Sequence, residues 1–323
     1  MGIRDPAYVR GYWDMSMLRP RWVWLQGVVA LAWFLFASAG SVSAQSRRMT
    51  EEEFRAALSQ LDSPDSAVRV GAADQIGLRG STFRREASEK LRALLRGDSV
   101  ATVRASAGRA IGRLGLRDAL PDLITALADA DTSVRIVAAA ALWRLPDPAA
   151  VPALVTGLRD SDPSVRQWCA LAVGVTEDAR AAAPLTQALS DTVSEVRLEA
   201  VRSLARIGDP VGMEPLTRVA MDDRESLETR LEAVNALASV QSPDKANALV
   251  RLLDVSNQDV RAQVVRALGQ VGDAFVIPPL RRLAGTSRGR SIGQVIREAI
   301  AQIEARGSAP AVPPATQSAN SPG

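Results

Sequence analysis

Residues 129–135 read DADTSVR, and 31 residues later residues 160–166 read DSDPSVR. A chain that repeats itself at this spacing, with two helix-length patterns in between, is restricted to architectures in which like units stack on one another. Neither pattern can bury its apolar face alone, so the neighbouring units must cover it. The arginine closing the phrase recurs at Arg69, Arg104, Arg135, Arg166, Arg197, Arg230, Arg261 and, in weaker form, Arg297, at intervals of 35, 31, 31, 31, 33, 31 and 36 residues.

Around each arginine the residue before it and those three, four, six and seven after it are apolar. For Arg135 these are Val134, Ala138, Ala139, Ala141 and Leu142; for Arg261 they are Val260, Val264, Val265, Ala267 and Leu268. This spacing draws one stripe along a 3.6-residue helix, the second helix of each unit. The first helix carries L-x-x-L patterns such as LPDLITAL from Leu120 and VPALVTGL from Val151, with Pro121, Pro152, Pro184, Pro215 and Pro279 in its opening turn. Thr50 and Glu53 form the S/T-x-x-E pattern of a capping box where the array begins.

Between the two helices an acid recurs six or seven residues before the arginine, at Asp62, Asp98, Asp129, Asp160, Asp191, Asp223 and Asp254. These predict helix caps and Asp–Arg hydrogen bonds from one unit to the next rather than a catalytic array, with Asp162 an N-cap and Pro163 the first helical residue. Gly77, Gly112, Gly174 and Gly269, eight residues after their arginines, and Gly115, Gly208 and Gly272 in the following connections, are expected to be C-caps with positive φ.

Composition narrows the chemistry. The chain has no histidine, which removes Ser-His-Asp and Cys-His catalysis and His-ligated zinc. Cys169 is the only cysteine, so an intrachain disulfide and a thiolate cluster are excluded; among Ala170, Leu171 and Ala172 it reads as a small buried hydrophobe. No cofactor or metal is expected, and the chain reads as non-enzymatic. The net charge is +3, and four arginines against two aspartates before residue 45 account for most of it, so charge offers no support for a nucleic-acid partner.

Residues 19–45, RPRWVWLQGVVALAWFLFASAGSVSAQ, have the basic, apolar and small-residue parts of a secretory signal, with cleavage expected after Ala44. The expected organisation is a signal over 1–44, a repeat domain over 45–306 and a disordered tail over 307–323. Starting at Met15 or Met17 would give the signal a compact basic head. The mature protein is then expected to be periplasmic or secreted and a monomer. Membrane attachment would come only from an uncleaved anchor at residues 22–37, or weakly from the basic cluster of Arg281, Arg282, Arg288, Arg290 and Arg297.

The motif V-R-x-x-A-x-x-A-L-G, a short G-D-P-like turn and A-V-P-x-L-x-x-A-L resembles HEAT repeats. The period near 31 is most similar to the short HEAT-like repeats named after phycobilisome bilin lyases. The resemblance covers about Thr50 to Arg306 and implies an all-α class: an α-α superhelix, or HEAT-like solenoid, of about eight two-helix repeats. It implies binding of a protein or peptide on a concave wall lined by the second helices. A docking subunit of an envelope-associated enzyme complex is the alternative reading. Bilin-lyase-like activity is a further one, against which the export signal and the missing histidine both argue.

On the second helices, positions one, two, five and eight after the arginine lie outside the stripe. In the middle units they hold Ile136, Val137, Trp143, Trp168 and Leu171, followed by a polar flank that includes Glu199, Arg202 and Asn235. An aromatic patch inside a charged rim has the composition of a protein-binding hot spot. Equally, Trp143 and Trp168 could fill gaps left by the many alanines.

Overall fold

A computed structural model of the chain describes residues 48–307. The predicted signal, the alternative anchor and all of the predicted tail except Gly307 lie outside the described residues. Seventeen α-helices and no strand occur among the described residues. They pair in chain order: α1 (Glu51–Gln60) with α2 (Ser66–Arg79), α3 (Arg84–Gly97) with α4 (Ala101–Leu114), α5 (Leu120–Ala126) with α6 (Thr132–Arg144), and α7 (Val151–Gly157) with α8 (Pro163–Gly174). Then come α9 (Ala182–Ala188) with α10 (Ser194–Ile207), α11 (Met213–Met221) with α12 (Leu227–Ser239), and α13 (Lys245–Arg251) with α14 (Gln258–Val271). The last unit is α15 (Ile277–Gly285), the single turn α16 (Ser287–Arg290) and α17 (Gly293–Gly307).

The predicted stripe is the core. Val134, Ala138, Ala139, Ala141 and Leu142 are all buried, as are Val260, Val264, Val265, Ala267 and Leu268. Each second helix packs on the next, while the first helices cover the other side of this stack. Thr50 Oγ1 accepts from the Glu53 amide at 3.2 Å and Glu53 Oε2 from the Thr50 amide at 2.8 Å, completing the capping box. Asp162 accepts from the Ser164 amide at 2.8 Å and the Val165 amide at 3.2 Å, so Pro163 opens α8 without wasting a donor. Thr229, which replaces an apolar residue in the sixth unit, is buried because its hydroxyl lies 2.9 Å from that of Ser226, the N-cap.

The recurrent arginine forms a ladder. Arg69, Arg104, Arg135 and Arg166 each set their Nε and Nη2 on the carboxylate of the next unit's Asp98, Asp129, Asp160 and Asp191, at 2.6–2.9 Å. Nη1 donates to a carbonyl of its own turn, Ser63, Asp98, Asp129 or Asp160, at 2.8–3.0 Å. The same carboxylates accept a backbone amide two residues on, at 2.8–2.9 Å. Burial alone would push Asp98, Asp160 and Asp191 up, but these bonds outweigh it and hold all three below the usual carboxylate range. Asp129 is lowered chiefly by the Arg104 hydrogen bond.

The ladder changes after the fifth unit. There α11 runs for 9 residues where α5, α7 and α9 run for 7, and Glu225 rather than Asp223 receives Arg197, at 2.6 and 2.9 Å. Asp223, expected to serve the preceding unit, accepts Arg230 of its own unit at 2.6 Å and Ser256 at 2.9 Å. Arg261 meets no carboxylate: Nη1 donates to Val255 at 2.7 Å, and Nε makes no hydrogen bond. Arg297 is exposed and stands outside the ladder.

Four of the expected C-cap glycines have a different reason. Gly77, Gly112 and Gly269 lie inside α2, α4 and α14, and Gly174 is the last residue of α8; none has positive φ. A Cβ on Gly77 would stand 2.7 Å from Ala110 Cα, on Gly112 2.9 Å from Ala141 Cβ, and on Gly174 2.1 Å from Ser203 Oγ. These glycines let consecutive second helices approach closely. Gly115 (φ +70°) and Gly208 (φ +66°) are left-handed C-caps as expected, whereas Gly272 is extended.

Gly112→Val is therefore expected to lower stability by about 2 kcal/mol through overpacking. Gly71→Ala, whose Cβ meets nothing within 4 Å inside α2, should raise it by roughly 0.5–1 kcal/mol. Urea denaturation of the two variants reads both signs. A carboxylate held low in the folded state contributes in full above its unfolded value, about 3.9, and the contribution is lost as the pH falls through the lower folded value. Replacing Asp129, Asp160 and Asp191 by Asn should thus cost roughly 2 kcal/mol per rung at pH 7 and progressively less in acid. A deficit that stays constant down to acid pH would refute the charge-assisted ladder.

Candidate docking face

The second helices turn one face away from the stack. Residues two, five and nine after the arginine fall within about 60° of arc on an α-helix. The position five after reads Asp74, Arg109, Ala140, Leu171, Arg202, Asn235 and Arg266 along the array; the position nine after reads Leu78, Arg113, Arg144, Val175, Arg206, Ser239 and Gln270. Side chains in these rows meet their counterparts in the next unit. Gln263 donates to Asn235 at 2.6 Å, and Arg202 lies 2.6 Å from Glu228 and 3.7 Å from Glu232.

Trp143 and Trp168 interrupt this polar lattice. Trp143 stands eight after Arg135, where Gly77, Gly112, Gly174 and Gly269 allow close helix approach and Ala205 and Ala238 nearly do. Its ring meets that of Trp168 edge-on, with centroids 6.0 Å apart and planes at 61°. Both are partly buried: they pack on the core and keep part of each ring at the surface. The Arg144 guanidinium carbon lies 5.9 Å from the Trp143 ring centroid.

The other predicted residues divide. Leu171 is partly exposed on the face, and Ile136 is partly buried against the core. Val137 is only 7% exposed and lies under the fourth helix, its Cγ1 3.0 Å from where a Cβ of Gly108 would stand, so it belongs to the inter-unit packing. Asn235 is exposed and Arg202 half-buried. Glu199 is also 7% exposed; burial raises its pKa, against the opposing charges of Arg206, 3.3 Å away, and Arg202.

Sequence reasoning missed Asp74, Arg113 and Arg144. The position nine after each arginine lies only about 40° around the helix from the position five after, a second turn of the helical wheel that would have found the two arginines. Cys169 is fully buried, and burial pushes its thiol up to about 12, which leaves it unreactive. On the first helices Lys90 pairs with Asp62, and Arg92 and Arg96 both reach Asp122 of the next unit. The basic cluster of Arg281, Arg282, Arg288, Arg290 and Arg297 borders a cleft of about 410 Å³ lined by Asp254, Pro279, Arg282 and Arg288 among others. Among the described residues no group of three or more acids or cysteines is arranged to hold a metal ion, and no helix is long and apolar enough to cross a membrane.

Solved structures share the fold at low identity. An engineered protein matches with a TM-score of 0.54 at 22% identity, over 78% of this chain and 79% of that one. The X-ray structure of E. coli YibA matches with a TM-score of 0.53 at 19% identity, over 83% and 98%. The complex of CpcE and CpcF of phycocyanin lyase from Nostoc sp. PCC7120 gives a TM-score of 0.46 at 22% identity, over 81% and 100%. No curated protein matches the chain. The family model for HEAT repeats matches five overlapping stretches, residues 54–131, 120–205, 157–228, 183–263 and 219–302. With the paired helices, the stacked core and this match across most of its length, the chain belongs to the HEAT repeat family.

Proposed function

We propose that the protein is an exported, non-enzymatic scaffold that docks a protein or peptide segment on its second-helix face, with Trp143 and Trp168 as the central anchor. One observation carries the reading. Trp143 occupies a position that other units keep as glycine or alanine, and it meets Trp168 edge-on with part of each ring at the surface. A residue placed only to fill an inter-helix gap would be fully buried, as Val137 nearly is. A paired aromatic platform inside a rim of charged residues is the arrangement that dominates binding energy at protein interfaces.

The lack of histidine and the inert Cys169 support a binding role over a catalytic one. Export rests on the basic, apolar and small-residue order of residues 19–45.

Two measurements test the proposal. Protein recovered from its native host should begin at Gln45 on N-terminal sequencing; an intact leader on a cytoplasmic pool would remove the export half. A partner co-purified from the envelope fraction should bind the double variant Trp143→Ala, Trp168→Ala at least tenfold more weakly than wild type, with unchanged helical circular dichroism. Unchanged affinity would remove the docking half.

A further inference from the structure

Grooves run between the first helices of consecutive units, and two of them differ in what lines them. The groove between α7 and α9 holds about 140 Å³. There Arg159 Nη2 donates to Gln187 Oε1 at 2.9 Å, a bond that spans the groove, and Asp191 on its wall receives Arg166. The cleft between α13 and α15 holds about 410 Å³. Leu253 precedes Asp254 as Arg159 precedes Asp160, and Arg282 stands three after Pro279 as Gln187 stands three after Pro184. Arg282 therefore has an apolar side chain across the cleft in place of a hydrogen-bond partner.

The charges of this cleft do not pair. Among the described residues the Arg282 side chain makes no hydrogen bond or ion pair, and that of Arg288 donates only to the Asp254 carbonyl, at 3.2 Å. Both arginines are exposed. Arg261 adds a third charge from beneath, where it is 3% exposed. Its Nη1 donates to the Val255 carbonyl at 2.7 Å, its Nη2 reaches the Arg288 carbonyl only at 3.5 Å, and its Nε is buried without a hydrogen bond. In the first four units the same Nε–Nη2 edge takes a carboxylate. Burial first, and then the charge of Arg288, pulls Arg261 below its ordinary value. Against these three guanidiniums the lining sets one acid, Asp254.

A singly charged anion suits this balance. A dianion suits it less well, because Asp254 repels each added charge. A guanidinium grips a carboxylate through two parallel donors, as the ladder itself does. Beside the two exposed arginines the cleft offers apolar surface from Val250, Leu253, Pro279 and Leu283. Its volume is at the lower end of the range in which small ligands are held.

We propose that the cleft between α13 and α15 binds a monocarboxylate carried on an apolar body, with Arg282 and Arg288 holding the carboxylate and Val250, Leu253 and Leu283 covering the body. A free organic acid and the C-terminal residue of a peptide present this same group. The site is built on the first helices, not on the second-helix face that carries Trp143 and Trp168, so it stands or falls independently of the docking role.

Calorimetric titration of the protein with N-acetyl-leucine and with its uncharged amide tests this. The acid is expected to bind, and the amide to bind at least about tenfold more weakly. Arg282→Gln, which installs the residue of the α9 position, and Arg288→Ala are both at exposed sites that spare the fold, and each should weaken the acid about tenfold. The double variant Trp143→Ala, Trp168→Ala should leave it unchanged. A peptide ending in leucine with a free carboxylate that binds more tightly than N-acetyl-leucine would identify a peptide end as the occupant; equal affinity would identify a small acid. Equal binding of acid and amide, binding unaltered in both arginine variants, or no binding of the acid at about 10 mM would overturn the proposal. Tighter binding of inorganic phosphate than of N-acetyl-leucine would overturn it in favour of a phosphate site.

Discussion

The regular step of the first units depends on one guanidinium shared between two turns. In the first four units, Nη1 of the arginine ties down the carbonyls of its own turn, and the Nε–Nη2 edge takes the aspartate of the next. The fork geometry suits this task, since a planar group with five donors can satisfy a carboxylate bidentately and still reach a backbone acceptor, which lysine could not. The aspartate in turn accepts a backbone amide at the start of its own second helix. Each rung therefore fixes a helix start and the register between neighbours at once. Stacking of identical units is translated into a fixed step, and that step sets which side chains meet on the far face.

The close-approach glycines are the other half of the same mechanism. They lie on the side of the second helix that touches the next unit, and even an alanine there would overlap the neighbour. Trp143 at this phase is thus a departure from the packing rule. Its ring meets that of Trp168 edge-on and packs partly against the core. The departure falls in the middle of the array, in the third and fourth units.

Toward the C-terminal end the regularity relaxes. The longer α11 carries the turn past the point where Asp223 could serve Arg197, and Glu225, with a longer side chain, takes its place. Arg230 turns back to its own unit, and Arg261 is 3% exposed with no carboxylate at all. The loss of hydrogen-bonded acids here matches the replacement of the aspartate turn by Thr286 and the short α16. The last units hold to the stack chiefly through apolar contacts such as Leu268, Leu280, Ile296 and Ile303.

The period, the two-helix unit, the buried stripe and the Asp–Arg ladder of the first units were legible in the residues alone. All of these repeat, and repetition makes a local pattern legible: a 3.6-residue stripe and a cap have the same meaning in every copy. The sequence also pointed to Trp143 and Trp168 as exceptions at their phase. It misassigned Gly77, Gly112, Gly174 and Gly269, because a glycine near a helix end looks the same whether backbone geometry or a neighbouring helix demands it. Only the tertiary structure could decide between these, by showing which atoms lie where a Cβ would go. Tertiary structure alone also withdrew Val137 and most of Glu199 from the surface and gathered Asp74, Arg109, Arg113 and Arg144 from three units. That gathering depends on the distance between stacked helices, which is set by the small residues between them and is not written in any one repeat.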